Sequence, residues 1–155
     1  MRELKLKIGD KAPDFTLKNQ DGQEVSLSSF KGKKVLLSFH PLAWTGVCAV
    51  QMKSLDIKHD ELSKLNTVAL GMSVDSVPSK KEWADYLELE QTDILADFWP
   101  HGEVAQKYDI FIDKAGISGR ANILIDEKGN IEWYRVYEIP EIPDLEEVIR
   151  HLKKQ

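Results

Sequence analysis

Seven residues, KVLLSFH at positions 34–40, narrow the possible folds more sharply than any other stretch of the chain. They form an unbroken, largely apolar run closed by lysines on one side and by Pro41 on the other. So short and apolar a run predicts a strand buried on both faces, and such a strand needs a layer of structure above and below its sheet. TVALGMSV, 67–74, is a second run of the same kind. Between the two, Val47, Val50, Leu55, Leu62 and Leu65 recur at loosely helical spacing from Thr45 to about Leu65. Strand, helix and strand in that order predict an α/β arrangement.

The remaining segments extend it. APDFTLKNQDGQEVSLSSFKGK predicts two short strands around a turn at Asn19–Gly22. SKKEWADYL opens with Ser79, carries Glu82 three residues later and follows Pro78, which predicts a helix capped at Ser79. DILAD predicts a third strand, GEVAQKY a short helix, and ANILIDEKGNIEWYRVYE a hairpin turning at Asp126–Gly129. PDLEEVIRHLKK predicts a closing helix, with Pro143 and acids early and basic residues late to match the helix dipole. No repeat, low-complexity tract or linker interrupts the chain. The expectation is one domain over residues 1–155, with a mixed central sheet flanked by helices. That order resembles the thioredoxin fold with an N-terminal extension.

Composition excludes several classes. The 155 residues are enough to bury a core without staples. A net charge of −5 provides no basic surface, so neither nucleic acid nor an anionic membrane is an expected partner. No run approaches the roughly eighteen apolar residues of a membrane span, and the charged start MRELKLKIGD lacks the apolar centre of a secretion signal. The single cysteine rules out a disulfide framework and suits a reducing compartment, so the cytoplasm is the expected location. His40, His59, His101 and His151 are too scattered to predict a metal site, and no cofactor is expected.

That cysteine lies in SFHPLAWTGVCAVQM, 38–52. Cys48 follows a buried strand and a short loop, and falls in the first turn of a helix starting near Thr45–Gly46. Unpaired N–H groups and a positive dipole end favour an anion there, and a thiolate is an anion. Ionisation alone gains little, because a thiol of pKa about 8.5 is ~3% thiolate at pH 7, a ceiling of about thirtyfold. Lowering the pKa also blunts the nucleophile. Fast chemistry would depend on groups that stabilise charge moving onto a leaving oxygen. Thr45 offers a hydroxyl one turn before the sulfur, and Val47 and Cys48 offer backbone N–H groups. Pro41 can wall the sulfur from water without leaving a donor unsatisfied. Taken singly, a lone cysteine is more often a buried hydrophobe and Thr45 a plain N-cap. Together, Pro41, Thr45 and Cys48 at this spacing point to a sulfur that reacts.

Pro41-x3-Thr45-x2-Cys48 resembles the active-site signature of the peroxiredoxins, the thiol peroxidases. The resemblance runs along nearly the whole chain. GDKAPDFTLKNQDGQEVSLSSFKGKKVLLSFHP is similar to their N-terminal half, GMSVDSVPSKKEWAD to their next strand and helix, and GRANILIDEKGNI to the segment carrying their active-site arginine, here Arg120. DILADFWPHGEVAQKYDIF is similar to the one-cysteine alkyl hydroperoxide reductase E and bacterioferritin comigratory protein-like group. The resemblance implies that Cys48 attacks the O–O bond of hydrogen peroxide or an organic hydroperoxide and becomes a sulfenic acid. Thr45, Arg120 and the N–H groups of Val47 and Cys48 would bind the peroxide, Pro41 would shield the sulfur, and the protein would be a homodimer. With no second cysteine in the chain, the reductant would be an external thiol: a low-molecular-weight thiol, a thioredoxin or a glutaredoxin-like protein. Two positions depart from the pattern. Gln51 stands where many relatives carry Glu, and His40 replaces the aromatic often found before the proline. Trp44 and Trp99 fall in loops beside the implied pocket and dimer edge, where exposure would suggest self-association.

Two other functions compete. WTGVC overlays the W-C-x-x-C of dithiol–disulfide oxidoreductases, but Thr45 occupies the place of the attacking cysteine. A redox-silent thioredoxin-fold protein that binds a partner or acts as a holdase leaves the Pro41–Thr45–Cys48 spacing unexplained.

Overall fold

The computed structural model describes residues 2–155. Its strands are β1 (Thr16–Lys18), β2 (Glu24–Ser26), β3 (Lys34–Phe39), β4 (Thr67–Ser73), β5 (Asp93–Ala96), β6 (Phe111–Ile112), β7 (Ile117–Ser118), β8 (Arg120–Ile125) and β9 (Ile131–Tyr137). The helices are α1 (Gly46–Ile57), α2 (His59–Lys64), α3 (Val77–Leu87), α4 (Glu103–Lys107) and α5 (Leu145–Lys153). Seven strands form one sheet in the order β2-β1-β5-β4-β3-β8-β9, and β6 and β7 pair separately. β3 lies parallel to β4, with Leu37 opposite Leu70, and antiparallel to β8, with Leu37 opposite Ile123. The sheet is mixed, as the sequence predicts.

Every residue of β3 is buried, and the alternation of a strand divides them between two cores. Val35, Leu37 and Phe39 join Leu70, Met72, Ile123, Val104 and Tyr108 on the face covered by α4 and the N-terminal segment. Leu36 faces the other way, with Met52, Leu55, Leu62, Trp83, Leu124, Val148 and Ile149 under α1, α2, α3 and α5. A strand with a core on each face has no place for solvent-facing polar residues, which is why its sequence lacks alternation. None of the helices among the described residues is long and apolar enough to cross a membrane.

The structure corrects the sequence reading in three places. The helix predicted from Thr45 to Leu65 is two helices, because Lys58 leaves helical geometry between them (φ −93°, ψ 7°). The break lets Leu55 and Leu62 reach the same core from separate axes. The third helix starts earlier than SKKEWADYL suggests. Its N-cap is Ser76, whose hydroxyl accepts the Ser79 N–H, and Pro78 sits inside the first turn, where its missing N–H costs nothing. Finally, the β6–β7 hairpin and a 3-10 turn at Leu27–Phe30 are too short to leave a periodic signal.

Gly71 of β4 shows how closely the helical face is packed. A Cβ there would lie 2.3 Å from Met52 Sδ and 2.9 Å from Ile94 Cγ2. Gly71→Ala is therefore expected to destabilise the fold by about 1–3 kcal/mol, read by urea unfolding.

Candidate active site

Towards the C-terminal end of β3 and the start of β8, the face under α1 and α3 changes from apolar to polar. Along β3 and the residue after it this face runs Leu36, Ser38, His40, and along β8 it runs Leu124, Asn122, Arg120. The antiparallel register sets Ser38 opposite Asn122. All four polar residues are buried, so each must find a partner or bear the cost of desolvation. Ser38 Oγ donates to Asn122 Oδ1 at 2.7 Å. From α1, Gln51 Nε2 donates to Ser38 Oγ at 2.8 Å and to the Phe39 carbonyl at 3.1 Å. Arg120 Nη1 donates to Gln51 Oε1 at 2.6 Å and to Cys48 Sγ at 3.5 Å, while its Nε donates to the Ile139 carbonyl at 2.9 Å. The guanidinium is thereby aimed at the sulfur by two further acceptors, neither of which is a carboxylate.

Cys48 is the third residue of α1 and 0% exposed. The Ala49 N–H bonds the Thr45 carbonyl at 2.9 Å. Gly46, Val47 and Cys48, which precede it in the first turn, have N–H groups without an intrahelical acceptor. Two sources of positive potential meet at the sulfur, and their sizes differ. A helix start contributes about 1 kcal/mol to an anion. A guanidinium at this range contributes roughly 4 kcal/mol at an effective dielectric of about 20. Arg120 is the larger influence.

The loop before α1 is fixed from several sides. Pro41 is buried. The Ala43 N–H donates to the Asp75 carboxylate at 2.8 Å. Trp44 has a left-handed backbone (φ +69°), which for a bulky residue costs about 1–3 kcal/mol. Its indole N–H offsets part of that by donating to Ser79 Oγ at 3.2 Å, and its ring lies 5.5 Å from that of Tyr86. Thr45 is the N-cap residue, but its side chain caps nothing. The hydroxyl donates to the Leu42 carbonyl at 2.8 Å instead, leaving its lone pairs free to accept.

Two residues here were not read as functional from the sequence beyond the oddity of His40. His40 and Lys80 are both 0% exposed, and neither ring nitrogen of His40 nor Lys80 Nζ has a hydrogen-bond partner in the protein. Orphaned buried groups cost about 1–3 kcal/mol each, more when charged. Burial and the neighbouring Lys80 charge hold His40 well below the usual imidazole range, so it is neutral; the Ser38 carbonyl favours its charged form without making a proper hydrogen bond. Lys80 does leave a trace in the sequence. It stands three, four and seven residues before Trp83, Ala84 and Leu87, so a lysine occupies the apolar stripe of α3. A cavity of about 360 Å³, lined by Lys11, Lys33, Asp126 and Lys128 among others, lies at the opposite end of β3 from Cys48.

The chain is similar to known proteins over most of its length. The sequence profile described as "AhpC/TSA family" matches residues 8–134. Alkyl hydroperoxide reductase E of Mycobacterium tuberculosis H37Rv is 39% identical over 140 residues, covering 90% of this chain and 91% of that protein. A peroxiredoxin of Thermoplasma volcanium is 34% identical over 151 residues, covering 94% of this chain and 73% of that one. Among solved structures, the reduced 2-Cys peroxiredoxin of Plasmodium vivax superposes with a TM-score of 0.87 at 29% identity, over 94% of this chain and 80% of that one. Sequence profile, relatives and thioredoxin-type architecture agree, and the chain belongs to the AhpC/TSA family, the peroxiredoxins.

Proposed function

We propose that the protein is a thiol-dependent peroxidase that reduces hydrogen peroxide and organic hydroperoxides at Cys48. The observation that carries this is the Arg120 N–H directed at the Cys48 sulfur from 3.5 Å inside a buried network. The thiolate attacks the terminal peroxide oxygen, an S–O bond forms, the O–O bond breaks, and its electron pair leaves on the second oxygen as water or alcohol once protonated. Arg120 and the N–H groups of Val47 and Cys48 stabilise that developing charge. Because the Thr45 proton is committed to Leu42, its hydroxyl meets the peroxide as an acceptor of the O–H. Pro41 keeps water from the sulfur. Gln51 gives Arg120 an acceptor without neutralising it, so the whole guanidinium charge is left to the sulfur.

The resulting sulfenic acid has no second cysteine in this chain to condense with, so an external thiol restores it: a low-molecular-weight thiol, a thioredoxin or a glutaredoxin-like protein. A reducing compartment such as the cytoplasm supplies such thiols. Phe98 and Trp99, 51% and 80% exposed, support a homodimer formed through this edge. Rapid mixing of the reduced protein with hydrogen peroxide tests the proposal. Trp44, four residues from the sulfur, is expected to change fluorescence quickly and in proportion to peroxide, with one oxygen found on Cys48 by mass spectrometry. A thiol reacting no faster than free cysteine would reject the peroxidase and leave partner binding as the function.

A further inference from the structure

β3 and β8 have no exposed residue, yet each carries a polar side chain in its interior, Ser38 and Asn122. The register sets the two opposite each other, and both are buried. A hydroxyl facing an amide there adds little stability over two aliphatic side chains, because each group gives up its bonds to water to make the one between them. The bonds they make lead instead, step by step, to the sulfur.

All the steps point the same way. The Ser38 hydroxyl has one proton and gives it to Asn122 Oδ1 at 2.7 Å, so its lone pairs are what it turns to α1. Gln51 Nε2 therefore donates to Ser38 Oγ at 2.8 Å, and its second N–H goes to the Phe39 carbonyl at 3.1 Å. With both amide protons taken by β3, Oε1 is the atom left to face Arg120, 2.6 Å from Nη1. The same Nη1 also donates to Cys48 Sγ at 3.5 Å. Because the guanidinium is planar and its N–H directions are fixed, placing one N–H of Nη1 on Gln51 sets the direction of the other. Two bonds hold the plane of the Gln51 amide. With the Phe39 bond alone, the amide would be free to hinge about that carbonyl and carry Oε1 with it.

Building on the peroxidase reading, we propose that Ser38, its proton fixed by Asn122, is a positioning residue for peroxide reduction. It locks the Gln51 amide so that Arg120 is aimed at the sulfur and at the oxygens that meet it. The hydroxyl bonds Asn122 and Gln51 and not the sulfur, so its whole effect on rate runs through the guanidinium. Arg120 keeps its Nε bond to the Ile139 carbonyl when the Gln51 amide loosens, and it stays in the pocket with its aim lost. Small displacements of a group that stabilises a transition state are costly, so Ser38→Ala is expected to slow oxidation of Cys48 about tenfold.

A double-mutant cycle tests this. Wild type, Ser38→Ala, Arg120→Met and the double variant are reduced and mixed rapidly with hydrogen peroxide. Sulfenic acid on Cys48 is trapped and counted by mass spectrometry against time, and urea unfolding shows that each variant is folded. In the Arg120→Met background, Ser38→Ala is expected to change the rate by less than about twofold, because no guanidinium is left to aim. Asn122→Leu frees the Ser38 proton to turn towards Gln51. It is expected to slow oxidation as Ser38→Ala does, again only while Arg120 is present, and it covers the case that alanine at position 38 unfolds the protein. A tenfold loss that persists without Arg120 would mean a general loosening of the site and overturn the proposal. Wild-type rates in folded Ser38→Ala or Asn122→Leu would also overturn it, and both results leave the peroxidase intact. Absence of sulfenic acid in the wild type would overturn both readings.

Discussion

Cys48→Ser is expected to lower peroxide turnover by more than about a thousandfold, to the uncatalysed background. Arg120 and the first turn of α1 can hold an anion at this position, but they cannot create one from a serine hydroxyl, whose proton is lost only far above neutral pH. Oxygen is also a far poorer nucleophile than sulfur towards an O–O bond. The fold should survive, because a hydroxyl at position 48 can still accept the Arg120 N–H that the sulfur accepts now. Peroxide consumption with an added thiol, measured beside thermal unfolding, separates loss of chemistry from loss of structure. Retained turnover in Cys48→Ser would remove Cys48 from the mechanism altogether.

Arg120→Met is expected to cost about 100- to 1000-fold in the rate of Cys48 oxidation. Methionine fills much of the space yet offers neither charge nor donors, so charge developing on the leaving oxygen meets only the helix N–H groups. Gln51 Oε1 and the Ile139 carbonyl each lose a bond as well, which is expected to lower stability by about 1–3 kcal/mol. Those two effects are separable. Stopped-flow oxidation of the fully folded variant reads the first, and urea unfolding reads the second. Arg120→Lys should recover part of the rate, since it keeps the charge but loses the planar fork that reaches Gln51 and Cys48 together. Near-normal oxidation by Arg120→Met would mean that the transition state is stabilised elsewhere, even though the enzyme class stood.

The parts of this site that sequence reasoning reached are local. Pro41, Thr45 and Cys48 lie within eight consecutive residues, and a buried strand, a short loop and a helix start are each written in neighbouring side chains. Periodicity records which face of a segment is buried, and it placed β3, β4, β5 and the β8–β9 hairpin close to where they lie. It was less good at helix ends. At the start of α3, two serines three residues apart could each serve as the cap, and in the structure Ser76 accepts the Ser79 N–H.

Arg120 is another matter. It lies 72 residues from Cys48, and without a family resemblance an arginine at a strand start reads as a solvated charge. What carries it to the sulfur is the pairing of β3 with β8, in a register one residue either side of which would turn Arg120 and Asn122 to the opposite core. The same register builds the Asn122–Ser38–Gln51 chain that orients the guanidinium. His40, just after β3, meets α3 through the ring of Trp83, and nothing in either segment names the other. Local sequence thus reached the proposed nucleophile and its backbone cradle, because helix starts and strand ends are short-range physics. The charge placed beside that sulfur was decided by long-range pairing and burial, which act between residues that the chain keeps far apart.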